Sequence, residues 1–187
     1  MIKEFQAIGR DLFLTGLNNS HSGNLSVRLG DRLLITRRGA MLGRLREEDL
    51  IETGIFDDDS NTVLASTEIG VHRAIYRDTA ALAIVHAHPV HAIALSLFSN
   101  EIIPVDAEGV YLFQRIPVLK AEHSIGSQEV ADKLPDMLGE NKIVVVRGHG
   151  SFAVGEQLVD AYQYTTSLES ICRIIFLNYS LQFFTPH

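Results

Sequence analysis

The most apolar stretch of the chain, Ala80 to Phe98, is long enough to pose the question of a membrane span. Its own residues answer it. His86, His88 and His91 would be costly in lipid, and Pro89 cuts the run in two. What remains is a buried strand over Ala81–Val85 and a helix that opens at Pro89 and reaches about Leu97. The strand runs straight into His86-Ala87-His88. On an extended chain, residues i and i+2 project to one face, roughly 6–7 Å apart at Cα. Two imidazoles so placed can converge on one ion, although a solvated strand end would also explain the pair alone.

A second apolar strand, Ile143–Val146, leads in the same way into Arg147-Gly148-His149-Gly150. The flanking glycines allow positive φ or close backbone approach, which suits a histidine held in a tight turn. Three histidines from two strand exits match a divalent site with an open position, and zinc is the expected ion, one per chain. The expected ligands are therefore His86, His88 and His149. His91 falls on the helix begun by Pro89 and reads as a capping or packing residue. His21, His72 and His123 have no metal spacing and read as surface or hydrogen-bonded histidines, and His187 lies in the terminal tail.

The other elements follow from periodicity. Phe5, Ile8, Leu12 and Phe13 mark one face of a first helix over about 2–17, ended by Gly16 and a polar stretch. β-like runs at Asn24–Arg28 and Arg32–Thr36 flank a Gly30-Asp31 turn, and another covers Leu50–Ile55. Asp57-Asp58-Asp59 lacks the glycine and terminal glutamate of a calcium loop and reads as a solvated turn. Ser66-Thr67-Glu68 is expected to cap a helix ending at Tyr76 or Arg77. Several short β pieces are expected in Ile102–Leu119, a helix over Gln128–Leu138, a strand partner at Ser151–Val154, and a last helix from about Gln157 to Tyr179. The pattern predicts an α/β fold with a mixed sheet covered by helices, and one domain over 1–187.

Composition narrows the function. Sixteen Lys and Arg against 23 Asp and Glu give a net charge of −7, so no global field exists for nucleic acid or an anionic membrane. An anionic substrate needs a local basic pocket. The single cysteine, Cys172, supplies neither an intramolecular disulfide nor a Cys-rich zinc site. The N-terminus carries no signal-peptide pattern, and a cytoplasmic location is expected.

Glu68 stands behind two hydroxyls at a helix start, where it serves the macrodipole or else acts as an acid/base or fourth metal ligand. Ser66 and Thr67 either cap that helix or join its amides in binding phosphate. Ser22-Gly23-Asn24-Leu25-Ser26 and Thr36-Arg37-Arg38-Gly39 are two further polar turns able to hold an anion. Neither is a Walker loop or a dinucleotide fingerprint, and no cofactor beyond metal is expected.

Taken in order along nearly the whole chain, these five segments resemble the class II aldolase/adducin family, in its fuculose-phosphate aldolase-like branch. The resemblance implies a three-layer α/β/α domain around a largely antiparallel mixed sheet, and a homotetramer with active sites near subunit interfaces. It implies metal binding by His86, His88 and His149, acid/base work by Glu68, and phosphate binding by Asn24, Gly39, Ser66 and Thr67. Thr36 and Arg38 join that phosphate set. Where family members commonly read Thr-Pro-Ser/Thr-Gly, both middle residues here are Arg, which strengthens phosphate binding or serves another anionic group such as a carboxylate. In the family's catalytic tyrosine region a count from Pro104 favours Glu108 over Tyr111, so both stand as candidates for the second acid/base. The short Phe183–His187 tail is not expected to supply the lid found in some of the family's sugar-phosphate aldolases.

The expected activity is that of a metal-dependent aldolase working on a short phosphorylated ketose. A Schiff-base route is disfavoured, because no lysine lies in these motifs. The same site could instead serve a decarboxylase, dehydratase or epimerase of a related sugar (acid) phosphate; Leu42-Gly43-Arg44-Leu45 resembles decarboxylase-like members. A non-catalytic adducin-like binding module is the rival from another class.

Overall fold

The computed structural model describes residues 1–182, so the expectations for the Phe183–His187 tail and for His187 lie outside the described residues. Eight strands form one sheet: β1 (Asn24–Leu29), β2 (Arg32–Thr36), β3 (Leu50–Gly54), β4 (Ala83–Ala87), β5 (Glu101–Ile102), β6 (Ile116–Leu119), β7 (Ile143–Val146) and β8 (Gly150–Gly155). Their spatial order is β3-β2-β1-β4-β8-β7-β6-β5. Every neighbouring pair is antiparallel except β6 with β7. Six α-helices lie among the described residues: α1 (Ile2–Leu14), α2 (Ile69–Asp78), α3 (Val90–Ser96), α4 (Ala107–Leu112), α5 (Gln128–Glu140) and α6 (Leu158–Gln182). No helix among the described residues is long and apolar enough to cross a membrane.

The helices sort to the two faces because the strands alternate. Val85 and Ala87 of β4 join Phe5, Leu12, Leu168 and Ile171 in one core, under α1 and α6. Ile84, next to Val85 in sequence, joins Ile75, Tyr76, Leu134 and Phe152 in the other, under α2 and α5. Both cores are shielded from water, which gives the expected three-layer α/β/α arrangement. The Gly30-Asp31 hairpin forms as read. Gly30 takes φ +64° at the first central position, the pattern of a type II′ turn.

Three expectations need correction. The strand read as Ala81–Val85 is displaced by two residues to Ala83–Ala87, so His86 lies within the ladder rather than beyond it. Ser66-Thr67-Glu68 does not cap α2 by side chain: the helix starts at Ile69, and Ser66 Oγ accepts from the Glu68 amide at 3.3 Å. The middle of Ile102–Leu119 is not β at all. Residues Ala107–Leu112 form α4, where the Asp106 carboxylate accepts from the Gly109 amide at 2.9 Å as an N-cap.

The antiparallel order fixes where chemistry collects. β4 is central, and β1 and β8 on its two sides both begin where β4 ends. Asn24 at the start of β1 pairs with His86, and so does Phe152 near the start of β8. The residue before α2 is Glu68.

Candidate metal and phosphate site

The three histidines predicted as ligands come together: a ring nitrogen from each of His86, His88 and His149 lies within 4.8 Å of the other two. The strand pleat aims His86 and His88 to the same side, with their Nε2 atoms 3.1 Å apart. His86 Nδ1–H donates to the Ser151 carbonyl at 2.9 Å, which leaves its Nε2 lone pair facing the cluster. Its ring stacks on Phe152 with centroids 4.1 Å apart. The His88 backbone N–H is shared by the Leu17 carbonyl at 2.9 Å and Asn18 Oδ1 at 3.0 Å, pinning the chain as it leaves β4. Gly148 turns the chain at φ +69° ahead of His149. Gly150 must be glycine for space: a Cβ there would sit 2.9 Å from the His88 ring and 3.1 Å from the His86 ring, against the Ala87 carbonyl.

Burial keeps all three rings neutral. His88 is pushed down to about 4, His149 is lowered, and His86 is held well below the ordinary imidazole range, all chiefly by desolvation. Neutral imidazoles are what a metal requires. Two buried atoms beside them, Glu68 Oε2 and His149 Nδ1, have no hydrogen-bond partner among the described residues. Three convergent neutral nitrogens and an orphaned carboxylate oxygen fit a divalent cation.

Glu68 is almost fully buried. Its Oε1 accepts from the Gly126 amide at 2.9 Å and lies 3.9 Å from His149 Nε2. Desolvation raises its carboxyl to about 7, with the Gly126 N–H pulling the other way. A carboxyl poised at neutrality beside a metal cluster can take up or release a proton near pH 7.

A cavity of about 150 Å³ adjoins the cluster. Its wall includes Asn24, Arg37, Arg38, Gly39, Ser66, Thr67, Glu68, His86, His88 and His149, so three polar segments far apart in sequence meet there. Asn24 Oδ1 is buried and has no partner among the described residues. Gly39 turns at φ +72°. Thr36 does not line the cavity; its Oγ1 accepts from the Leu25 amide at 3.2 Å and ties β2 to β1, a correction to its expected phosphate role. Glu108 and Tyr111 do not line it either. They project from α4 into solvent, Tyr111 at 88% exposure.

The remaining histidines take varied places. His72 is fully buried and hydrogen-bonded to Ser26 at 2.6 Å, and His91 Nδ1 pairs with Glu169 at 2.7 Å. His123 is exposed. His21 is exposed too but lines the cavity, as does Ile125; the sequence offered no spacing to mark either. Gly126, which holds Glu68, lay equally hidden as one loop glycine among others.

This fold, with a histidine cluster at the end of its central strand, is that of the class II aldolases. Residues 3–176 match the class II aldolase and adducin N-terminal domain, and the chain belongs to that family. Within it, the chain falls on the fuculose-phosphate aldolase-like branch, among the family's enzymes. It superposes on the L-fuculose-1-phosphate aldolase of Thermus thermophilus with a TM-score of 0.93 at 36% identity, covering 99% of this chain and 97% of that one. It is 29% identical to the L-fuculose phosphate aldolase of Methanocaldococcus jannaschii over 94% of this chain and 96% of the relative. It is also 31% identical to a 3-oxo-tetronate 4-phosphate decarboxylase of Haemophilus influenzae, over 90% of this chain and 83% of the relative.

Proposed function

We propose that this enzyme is a metal-dependent aldolase, making or breaking a carbon–carbon bond in a short phosphorylated ketose. One observation carries the reading: the neutral His86–His88–His149 cluster sits beside a buried carboxyl, Glu68, in a cavity rimmed by anion-binding groups. His86, His88 and His149 would hold one divalent ion, zinc by the donor set, with Glu68 as an optional fourth ligand. When bound, such an ion supplies Lewis-acid stabilisation for the negative charge that builds on substrate oxygen as the bond breaks.

The protein does the rest. Glu68 moves the proton at the carbon next to the substrate carbonyl. Asn24, Ser66, Thr67, Arg38 and the Gly39 backbone hold the phosphate, which fixes the distance of the reacting carbons from Glu68. Glu108 and Tyr111 lie off their own chain's cavity, so in the homotetramer we propose for this family member either would serve a neighbouring subunit's site. Both cores share one sheet, which supports a single domain over 1–187.

A second reading has its own support. The decarboxylase relative, at 31% identity, is about as similar in sequence as the Methanocaldococcus aldolase at 29%, so the same site could serve decarboxylation, dehydration or epimerisation of a related sugar (acid) phosphate. The test is direct. Zinc-loaded protein should cleave a phosphorylated ketose from a panel, and His86→Ala and His149→Ala should lose both the ion and the cleavage. Wild-type metal content in both folded variants would refute the ligand set. Cleavage that survives complete metal removal would refute the mechanism.

A further inference from the structure

His86 and His149 are held in different ways. The His86 ring is fixed directly, by the Ser151 carbonyl and the Phe152 ring. His149 Nδ1 has no hydrogen-bond partner among the described residues, so its main chain carries more of the task of placing the ring. That main chain is a left-handed turn at Gly148, tied down on several sides. The Arg147 amide donates to the Leu119 carbonyl at 2.9 Å, and the His149 amide to the Val146 carbonyl at 3.0 Å. The Arg147 guanidinium reaches the Ser99 carbonyl at 2.9 Å and Asn100 Oδ1 at 2.6 Å. Between them, the Gly148 amide donates to Ser96 Oγ at 3.0 Å.

Ser96 is the last residue of α3 and is fully buried. Its hydroxyl hydrogen goes to the Ile93 carbonyl at 2.6 Å, which leaves a lone pair for Gly148. The helix that carries it is anchored. α3 starts one proline beyond His88, where the Glu169 carboxylate accepts from the His91 and Ala92 amides at 3.1 and 3.3 Å and pairs with His91 Nδ1 at 2.7 Å. A seven-residue helix pinned beside one ligand thus ends on the turn that bears another. Gly148 is itself exposed, so without Ser96 its N–H can turn to water and carry His149 out of register. We propose that Ser96 is a positioning residue of the metal centre: through the Gly148 N–H it fixes where His149 stands relative to His86 and His88. This rests on the metal reading above and deepens it, adding a residue that belongs neither to the ligand set nor to the cavity wall. Losing an outer partner of this kind typically costs about 10–100-fold in metal affinity.

Two readouts report on the centre without recourse to turnover: zinc affinity by chelator competition, and the visible absorption bands of the cobalt-loaded protein. Thr165→Ala is the control, because Thr165 is equally buried, on α6, and its hydroxyl also donates to a helix carbonyl, that of Ala161 at 2.8 Å. Ser96→Ala should bind zinc ~10-fold or more weakly and shift the cobalt bands, while Thr165→Ala keeps both as in wild type. Ser96→Cys keeps the volume and offers only a weak acceptor. It should show the same signs in smaller measure, and it takes the place of Ser96→Ala if that variant does not fold. Wild-type affinity and bands in Ser96→Ala would overturn the proposal while leaving the ligand set standing. Equal losses in Ser96→Ala and Thr165→Ala would overturn it too, since they mark a general loosening of the fold. If the wild-type protein takes up no zinc, or folded His149→Ala takes up as much as wild type, the metal reading fails and this inference with it.

Discussion

Glu68 is almost fully buried at the cavity wall, with one oxygen on the Gly126 amide and the other on no hydrogen-bond donor among the described residues. A glutamine there keeps the size and loses the basicity. Metal-saturated Glu68→Gln should therefore stay folded while turnover drops by roughly 10²–10⁴-fold, together with exchange of the substrate proton next to the carbonyl. Unchanged turnover and exchange in metal-loaded protein would remove Glu68 from proton transfer. Gly150 makes the complementary point about space. Alanine there presses on both the His86 and His88 rings and on the Ala87 carbonyl, which cannot all give way. Gly150→Ala should weaken zinc by ~10-fold or more in a chelator competition, with the fold intact. Residues like these divide what a sequence can disclose. His-x-His and Gly-His-Gly carry their geometry locally, through the strand pleat and the left-handed glycine. The Gly126 amide that restrains Glu68 is 58 positions away in the chain and has no local mark.

Between elements, the telling contact is a buried polar chain from α2 to β1. Ser26 Oγ lies 2.6 Å from His72 Nδ1 and 2.7 Å from the Tyr76 hydroxyl, and His72 Nε2 has no partner among the described residues. This chain fixes the helix that follows Glu68 against the strand that starts with Asn24. Burial lowers the His72 pKa from 6.5 to about 3. A group depressed by folding contributes stability that is whole above its unfolded value and is lost as pH falls through the folded one. Metal-free protein should thus lose stability from pH 6.5 downwards, with His72 accounting for on the order of 3 kcal/mol between pH 6.5 and 4. Urea unfolding of metal-free His72→Gln should give a correspondingly shallower acid slope; identical slopes would mean His72 is not held neutral. At this scale the sequence was also misread most. Pro104, Gly109 and Pro117 broke the pattern, and Val105, Val110 and Tyr111 gave it a β character. The capped turn at Asp106 and packing against α6 decided for helix instead. The β4 boundary slipped for a related reason: histidine has no strong strand preference, but pairing on both sides with β1 and β8 draws His86 into the ladder.

The whole molecule leaves apolar surface uncovered. Phe98 is 90% exposed beside Ile103, Val105 and Tyr179, around a groove of about 550 Å³, and Tyr111 stands out from α4. Patches of this kind mark protein interfaces. The proposed homotetramer should bury Phe98, so Phe98→Asp should shift sedimentation of the assembly towards smaller species. A wild-type protein that sediments as a monomer at assay concentration and above would remove the intersubunit role of Tyr111 and Glu108. The architecture itself was readable, because alternating strands and one-sided helices leave few ways to cover a sheet. Which surface would meet another copy was not, since exposed side chains carry no periodic signature.

His86 is held on three sides before any ion arrives: by the Ser151 carbonyl, by the Phe152 ring, and by the backbone of Gly150. Its strand is an inner one, fourth of eight, paired along both edges. Stripping the metal should therefore take away a ligand and leave a mould. Amide exchange in Ala83–Ala87 should remain among the slowest in the molecule after chelation. Reloading should then proceed at the pace of ion capture, in one phase, without the lag that refolding would impose.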